Sequence, residues 1–269
     1  MFDSGVGGLT VLHECLVSLP HEDFVYLGDT ARFPYGERSQ QQLRSYAHEL
    51  SATLVDRGAK LVVIACNSAT AAAFETVKAE LAGQVPVVGV VRPESRLAAE
   101  ATTTGRVGVI ATEATVASGA YERALAEASG GSARLTSVAA PRLASLIQSG
   151  GEVDEATVAW VEQACAPLQE AGVDTVIMGC THYPLVRPLL QRTLGRGVRL
   201  ISSGEAIAED VEAELDAAGL AAPTTRRGAY HFLTTGEPEE FRALGTRFLQ
   251  LPIAKVGHVQ AQPTQVTSA

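Results

Sequence analysis

Aromatic residues make up only 5% of this 269-residue chain, and lysine occurs at Lys60, Lys78 and Lys255 alone. Lys60 stands just before an apolar run and Lys255 near the C-terminus, so no lysine is placed to hold a Schiff-base cofactor, and no cofactor is expected. Positive charge is short as well. The 30 Asp and Glu against 21 Lys and Arg leave a net charge of −9, which argues against a direct grip on nucleic acid or an anionic membrane. No charge-free apolar run reaches the roughly 18 residues of a spanning helix, and no signal-peptide pattern opens the chain. The expectation is a soluble, cytoplasmic protein. Its 4 cysteines are widely spaced, with neither a CxxC pair nor a Cys/His pattern suited to zinc, so neither a disulfide framework nor a metal site is expected.

What is present is an apolar fraction of 46%, rich in Ala, Val and Leu, arranged as alternating strand and helix patterns. Strands are predicted at Phe24–Leu27, Leu61–Ala65, Val85–Val91, Val107–Ile110, Val176–Met178 and Leu200–Ile201, with His231-Phe232-Leu233 as the last strand signal. Helices are predicted at Thr10–Ser18, Gln40–Asp56, Ala71–Leu81, Thr115–Ala128, Ala156–Glu170, Leu185–Leu194 and Gly204–Ala217. The alternation implies an α/β fold built on parallel sheet. Ser129-Gly130-Gly131-Ser132 and Ser149-Gly150-Gly151 read as surface turns, and 260–269 as a disordered tail.

One stretch occurs twice. Residues 57–68 read RGAKLVVIACNS and residues 171–182 read AGVDTVIMGCTH, with Gly58 and Gly172 in register and Cys66 and Cys180 in register. Each copy reads as a helix, a glycine stop, a buried strand and a thiol where the strand ends. Ligands of open parallel sheets sit beyond the carboxyl ends of the strands, so two similar halves would present two thiols to one ligand. Residues 1–91 are expected to form the first domain and 92–203 the second, with 204–259 returning to complete the first.

Strand-end cysteines are more often inert core thiols than nucleophiles, and Cys15 and Cys165, in helical patterns, read as buried helix-face thiols. The shared register and polar followers of Cys66 and Cys180 argue otherwise. A thiolate on one side of a carbon and a thiol on the other suit proton transfer that inverts a stereocentre. Asp3 and His182 are the nearby groups able to tune them. Asn67-Ser68 and Thr181-His182 after the thiols, and Thr112 and Thr115 after the strand 107–110, are short donors suited to a ligand's carboxylates, or to plain helix capping. The turn Asp3-Ser4-Gly5-Val6-Gly7-Gly8 leads into a helix whose amides suit an anion, though it lacks the lysine of a P-loop and the spacing of a dinucleotide fingerprint. Residues 28–36 form a polar loop suited to a site wall.

These residues closely resemble those of bacterial glutamate racemases, in the cofactor-independent aspartate/glutamate racemase superfamily. The matching segments are FDSGVGGLTV at 2–11, GDTARFPYG at 28–36, ACNSAT at 65–70, TEATVASGAY at 112–121, GCTHYP at 179–184, SGEAIA at 203–208 and HFLTTGEPEEF at 231–241. The resemblance implies two pseudo-symmetric α/β domains, each a mostly parallel sheet flanked by helices, with the active site in the cleft between them. It implies interconversion of L- and D-glutamate, supplying D-glutamate for peptidoglycan, and a homodimer in many members. It implies that Cys66 acts on the D-isomer and Cys180 on the L-isomer, assisted by Asp3 and His182 respectively. Asp3, Ser4, Tyr35, Gly36, Asn67, Ser68, Thr181 and His182 match substrate contacts.

Three features depart from the family pattern. Only Met1 precedes Phe2, so the expectation is that either the first strand is missing or the start is truncated. Gln148 stands where the family commonly has a Glu supporting the His182 side, and Gln hydrogen-bonds without charging. The usual IEPG reads Val91-Arg92-Pro93-Glu94 at the inferred domain crossing. The competing readings are an aspartate or hydantoin racemase, a weakly active relative that works by binding another protein, and a structural α/β protein with two buried thiols.

Overall fold

The computed structural model describes residues 1–151 and 153–261, so the predicted tail beyond residue 261 lies outside the described residues. In chain order the elements are β1 (Phe2–Asp3), α1 (Leu9–Ser18), β2 (Phe24–Gly28), α2 (Gln40–Val55), β3 (Val62–Ile64), α3 (Asn67–Glu80) and β4 (Val87–Gly89). Then come α4 (Val91–Ala101), β5 (Arg106–Ala111), α5 (Glu113–Ala117), α6 (Ala120–Ala128), β6 (Arg134–Ala139), α7 (Leu143–Ser149) and α8 (Glu155–Glu170). The chain continues through β7 (Thr175–Gly179), α9 (Arg187–Leu194), β8 (Arg199–Ile201), α10 (Ser203–Ala217), β9 (Tyr230–Thr234), α11 (Pro238–Leu249) and β10 (Val256–His258).

Among the described residues the strands form two sheets, one ordered β10-β9-β2-β1-β3-β4 and one ordered β6-β5-β7-β8. Every pairing is parallel. Parallel strands need helical crossovers that cover both faces, which is why the central strands are continuous apolar runs. All of Val62–Ile64 and of Thr175–Gly179 is buried. The chain leaves the first sheet through α4, which follows β4 and leads to β5, and returns through α10, which follows β8 and leads to β9. No helix among the described residues is long and apolar enough to cross a membrane.

Local signals account for most boundaries. Ser39 caps α2 in a reciprocal box: its hydroxyl accepts from Gln42 N–H at 3.2 Å, and Gln42 Oε1 accepts from Ser39 N–H at 3.1 Å. The two repeat glycines both turn left-handed after their helices, Gly58 at φ 83° and Gly172 at φ 60°.

Several expectations are corrected. The first strand is present, though only two residues long, and lies between β2 and β3. The single helix predicted over Thr115–Ala128 is two, because Gly119 takes φ 63° and breaks it. Helix α3 starts at Asn67, four residues before the predicted Ala71, directly behind the strand end. Strands β6 and β10 carried no apolar run because both are sheet edges, partly exposed and polar.

Most of the few aromatic side chains lie in the interior. Tyr26, Tyr35, Tyr121 and Tyr183 are among the largest fully buried side chains, and each hydroxyl finds a partner. Tyr26 donates to Gly5 C=O at 2.9 Å, Tyr183 to Ala140 C=O at 3.3 Å, Tyr35 to Asp29 and Tyr121 to Glu94. Leu9, fully buried where α1 meets α11, is a representative core residue, whereas Val17 on the same helix is 68% exposed. Leu9→Ala is expected to cost about 2–5 kcal/mol in chemical denaturation, against less than about 0.5 kcal/mol for Val17→Ala.

Candidate active site

One cleft gathers the groups singled out in the repeat. Ser4, Tyr35, Gly36, Cys66, Asn67, Ser68, Thr112, Cys180, Thr181 and His182 all line it. Every lining residue follows the carboxyl end of a strand, β1, β2 and β3 from one sheet and β5, β6 and β7 from the other, as ligand sites of parallel sheets do. Two expected residues stand behind the wall. Thr115 is 1% exposed, and its hydroxyl lies 3.0 Å from Ser68 Oγ and 2.9 Å from Thr112 Oγ1. Asp3 is wholly buried at the end of β1.

The glycine-rich turn does bind an anion, but the anion is the chain's own. Asp3 Oδ2 accepts from Gly5 N–H at 3.0 Å, and the Ser4 and Gly8 amides also donate to the carboxylate. From the other sheet the Thr181 hydroxyl donates to Asp3 Oδ1 at 3.2 Å. Burial raises the Asp3 pKa, and these four donors pull it back. A Cβ on Gly7 would sit 2.3 Å from His182 Nδ1, so glycine there lets the turn approach the opposite half.

The two thiols have different settings. Cys66 is the N-cap of α3, a 14-residue helix whose positive end favours a thiolate. Burial and the Asp3 charge push its pKa up to about 12, opposed by the Ala69 amide and by the Ser4 hydroxyl and amide. Cys180 leads instead into a four-residue 3-10 turn, Tyr183–Val186. Burial raises its pKa too; the His182 amide opposes this, while Cys66, Asp3 and Glu94 reinforce it. A thiolate at Cys66 therefore disfavours one at Cys180. The pair holds one negative charge far more readily than two.

His182 lies between the rings of Phe33 and Phe248, with centroids 5.4 Å and 5.3 Å away. Desolvation there lowers its pKa to about 3, so the ring is neutral at physiological pH. Nε2 lies 3.0 Å from Gln148 Oε1 and Nδ1 lies 3.8 Å from Cys180 Sγ. With Nε2–H donating to Gln148, Nδ1 is the acceptor that faces the Cys180 thiol.

Some lining residues had no warning in the sequence. Arg142 caps α7 in the left-handed region at φ 67° and is the one cation among the residues lining the cleft, where Glu37 and Glu113 are the acids. Glu94, fully buried, had a signal in the departing VRPE motif. Its Oε1 accepts from Ser203 Oγ at 2.5 Å, and its Oε2 accepts from Tyr121 OH and from Asn67 Nδ2 at 3.0 Å. Burial raises its pKa to about 7 against the pull of those donors. No group of three or more His, Cys, Asp and Glu among the described residues is arranged to hold a metal ion.

Residues 11–211 match the family model for Asp/Glu/hydantoin racemases. A glutamate racemase of Carnobacterium sp. (strain St2) is 43% identical over 259 residues, which cover 96% of each chain. Two solved structures superpose closely. The RacE1 isoform of glutamate racemase from Bacillus anthracis gives a TM-score of 0.87 at 35% identity, covering 97% of this chain and 96% of that one. The Francisella tularensis glutamate racemase in complex with D-glutamate gives 0.87 at 30% identity, covering 96% of each. Two parallel sheets with paired strand-end thiols over one cleft define an amino-acid racemase, an isomerase. The chain belongs to the Asp/Glu/hydantoin racemase family.

The neutral state of His182 has a measurable signature. Its folded pKa lies below the ordinary 6.5, so its contribution to stability is intact above about pH 6.5 and is lost as pH falls toward 3. Nitrogen-15 NMR of the imidazole is expected to show no titration between pH 5 and 9. Gln148→Glu, which sets a carboxylate against Nε2, should raise the imidazole pKa by about 1–3.

Proposed function

We propose that this chain interconverts L- and D-glutamate by passing the α-proton between Cys66 and Cys180, and so supplies D-glutamate for peptidoglycan. The single observation that carries the reading is that both thiols line one cleft, each at a strand end of a different sheet. The working unit is two domains, 1–91 with 204–259 and 92–203, and a homodimer in the cytoplasm.

The proton balance follows from the charge limit on the pair. In the L-to-D direction the Cys180 thiolate takes the proton from Cα as the Cys66 thiol delivers its own to the opposite face. Cys180 ends as the thiol and Cys66 as the thiolate, and the D-to-L direction reverses both. Burial holds the resting thiols protonated, so one thiol proton leaves to solvent before turnover, and a substrate α-ammonium entering the dry cleft offsets the cost of the thiolate left behind. His182 Nδ1 is the acceptor facing the Cys180 proton, and the Asp3 carboxylate is the charge acting on Cys66. Carbanion character at Cα needs donors already fixed on the substrate carboxylates. The first-turn amides of α3 and the hydroxyls of Ser68 and Thr112 supply them, and Arg142 at the wall suits the second carboxylate of glutamate.

Cys66→Ala and Cys180→Ala are each expected to lower racemisation in both directions by at least about 10²-fold with an unchanged unfolding midpoint. Polarimetry on the purified variants reads the first, and full activity in either one overturns the two-thiol reading.

A further inference from the structure

The side chain of Asn67, next to Cys66, is held by a cluster that spans the whole crossing between the two sheets. Its Nδ2 lies 3.0 Å from Glu94 Oε2, 2.8 Å from Tyr121 OH and 3.4 Å from Ser203 Oγ. Its Oδ1 is buried and has no hydrogen-bond partner. An unpaired buried carbonyl costs about 1–3 kcal/mol unless something donates to it. Asn67 lines the cleft, so the donor that is missing is one a ligand would bring.

An amide is free to present either end, and what removes that freedom here is the carboxylate. An ionised carboxylate only accepts, so the amide nitrogen must face Glu94 and the oxygen must face away from it. Glu94 sits in the first turn of α4, which carries the chain out of the first sheet. Ser203 is the first residue of α10, which carries it back. One buried carboxylate thus bonds both crossings and the residue beside the first thiol.

We propose that Glu94 is a positioning residue for racemisation: by holding Asn67 Nδ2 it aims Asn67 Oδ1 at the α-ammonium of the bound amino acid and ties that contact to the arrangement of the two crossings. The inference rests on the amino-acid racemase reading. Glu94 touches no substrate atom and acts through Asn67. Glu94→Gln removes the compulsion, since a glutamine can donate where the carboxylate only accepts, and the Asn67 amide can then turn over.

The test is calorimetric binding at pH 8 of glutamate at its racemic equilibrium and of glutarate, which has the same two carboxylates and no ammonium. The wild-type chain is expected to prefer glutamate, and Glu94→Gln to lower the glutamate-to-glutarate affinity ratio by about tenfold, in keeping with a charged hydrogen bond lost. A merely structural role would weaken both ligands together and leave the ratio unchanged, which would overturn the proposal. So would a wild-type chain that binds glutarate as tightly as glutamate. If circular dichroism shows that Glu94→Gln is unfolded, Tyr121→Phe removes the hydroxyl shared by Glu94 and Asn67. That variant should lower the same ratio by about threefold, and an unchanged ratio there overturns the proposal. A wild-type chain that shows the expected ratios but fails to racemise glutamate would sink the proposed activity and leave this inference standing.

Discussion

The cleft depends on keeping one fully buried carboxylate satisfied from two sides. Asp3 ends the two-residue strand β1 with no access to water, and an ionised carboxylate without partners there would cost several kcal/mol. The glycine-rich turn after it supplies amides from the first sheet, and Thr181 supplies a hydroxyl from the second. The same turn must come close to His182, which is why Gly7 carries no side chain. Thr10, at the start of α1, then donates to Thr181 C=O at 3.0 Å and closes the contact. Separating the halves at this point would strip Asp3 of its Thr181 donor, so the polar join between the sheets and the placement of the two thiols are one structural fact.

The dry interior that makes Asp3 demanding also governs the thiols. Both are pushed upward by burial, so the resting site holds two thiols, and a first thiolate discourages a second. One thiol and one thiolate is the charge state a proton relay across a carbon requires. The two sides reach it differently. Cys66 has a helix N-terminus that favours its thiolate and the Asp3 charge that opposes it; Cys180 has a short 3-10 turn and a neutral imidazole backed by an uncharged Gln148. The fold repeats the strand-end thiol in both halves and does not repeat its support.

Much of this was legible in the residues because it is local or periodic. The register of Cys66 with Cys180 and of Gly58 with Gly172 is a backbone pattern, and the structure places both glycines in the left-handed region and both thiols in one cleft. The alternation of buried apolar runs with helical patterns announced the parallel sheets. What escaped was set by tertiary neighbours. Edge strand β6 has no apolar run to betray it, because solvent and not core meets part of its surface. The glycine-rich turn read as a ligand site because nothing in its sequence says that Asp3 fills it. Thr115 read as a substrate contact and is instead the hydroxyl behind Ser68 and Thr112. Glu94 lay in a motif noted for departing from the family, yet its partners Asn67, Tyr121 and Ser203 come from three other helices and no spacing rule connects them.

The central claim is that two opposed thiols, and not one, handle the α-proton. Racemisation of L-glutamate in D₂O, stopped at low conversion and read by mass spectrometry of the separated isomers, tests it most directly. A two-thiol relay delivers solvent deuterium to Cα of the D-glutamate formed while the L-glutamate recovered still carries protium. Deuterium entering the recovered L-glutamate as fast as the product, or protium retained in the D-glutamate, would mean that a single base works both faces and would contradict the account.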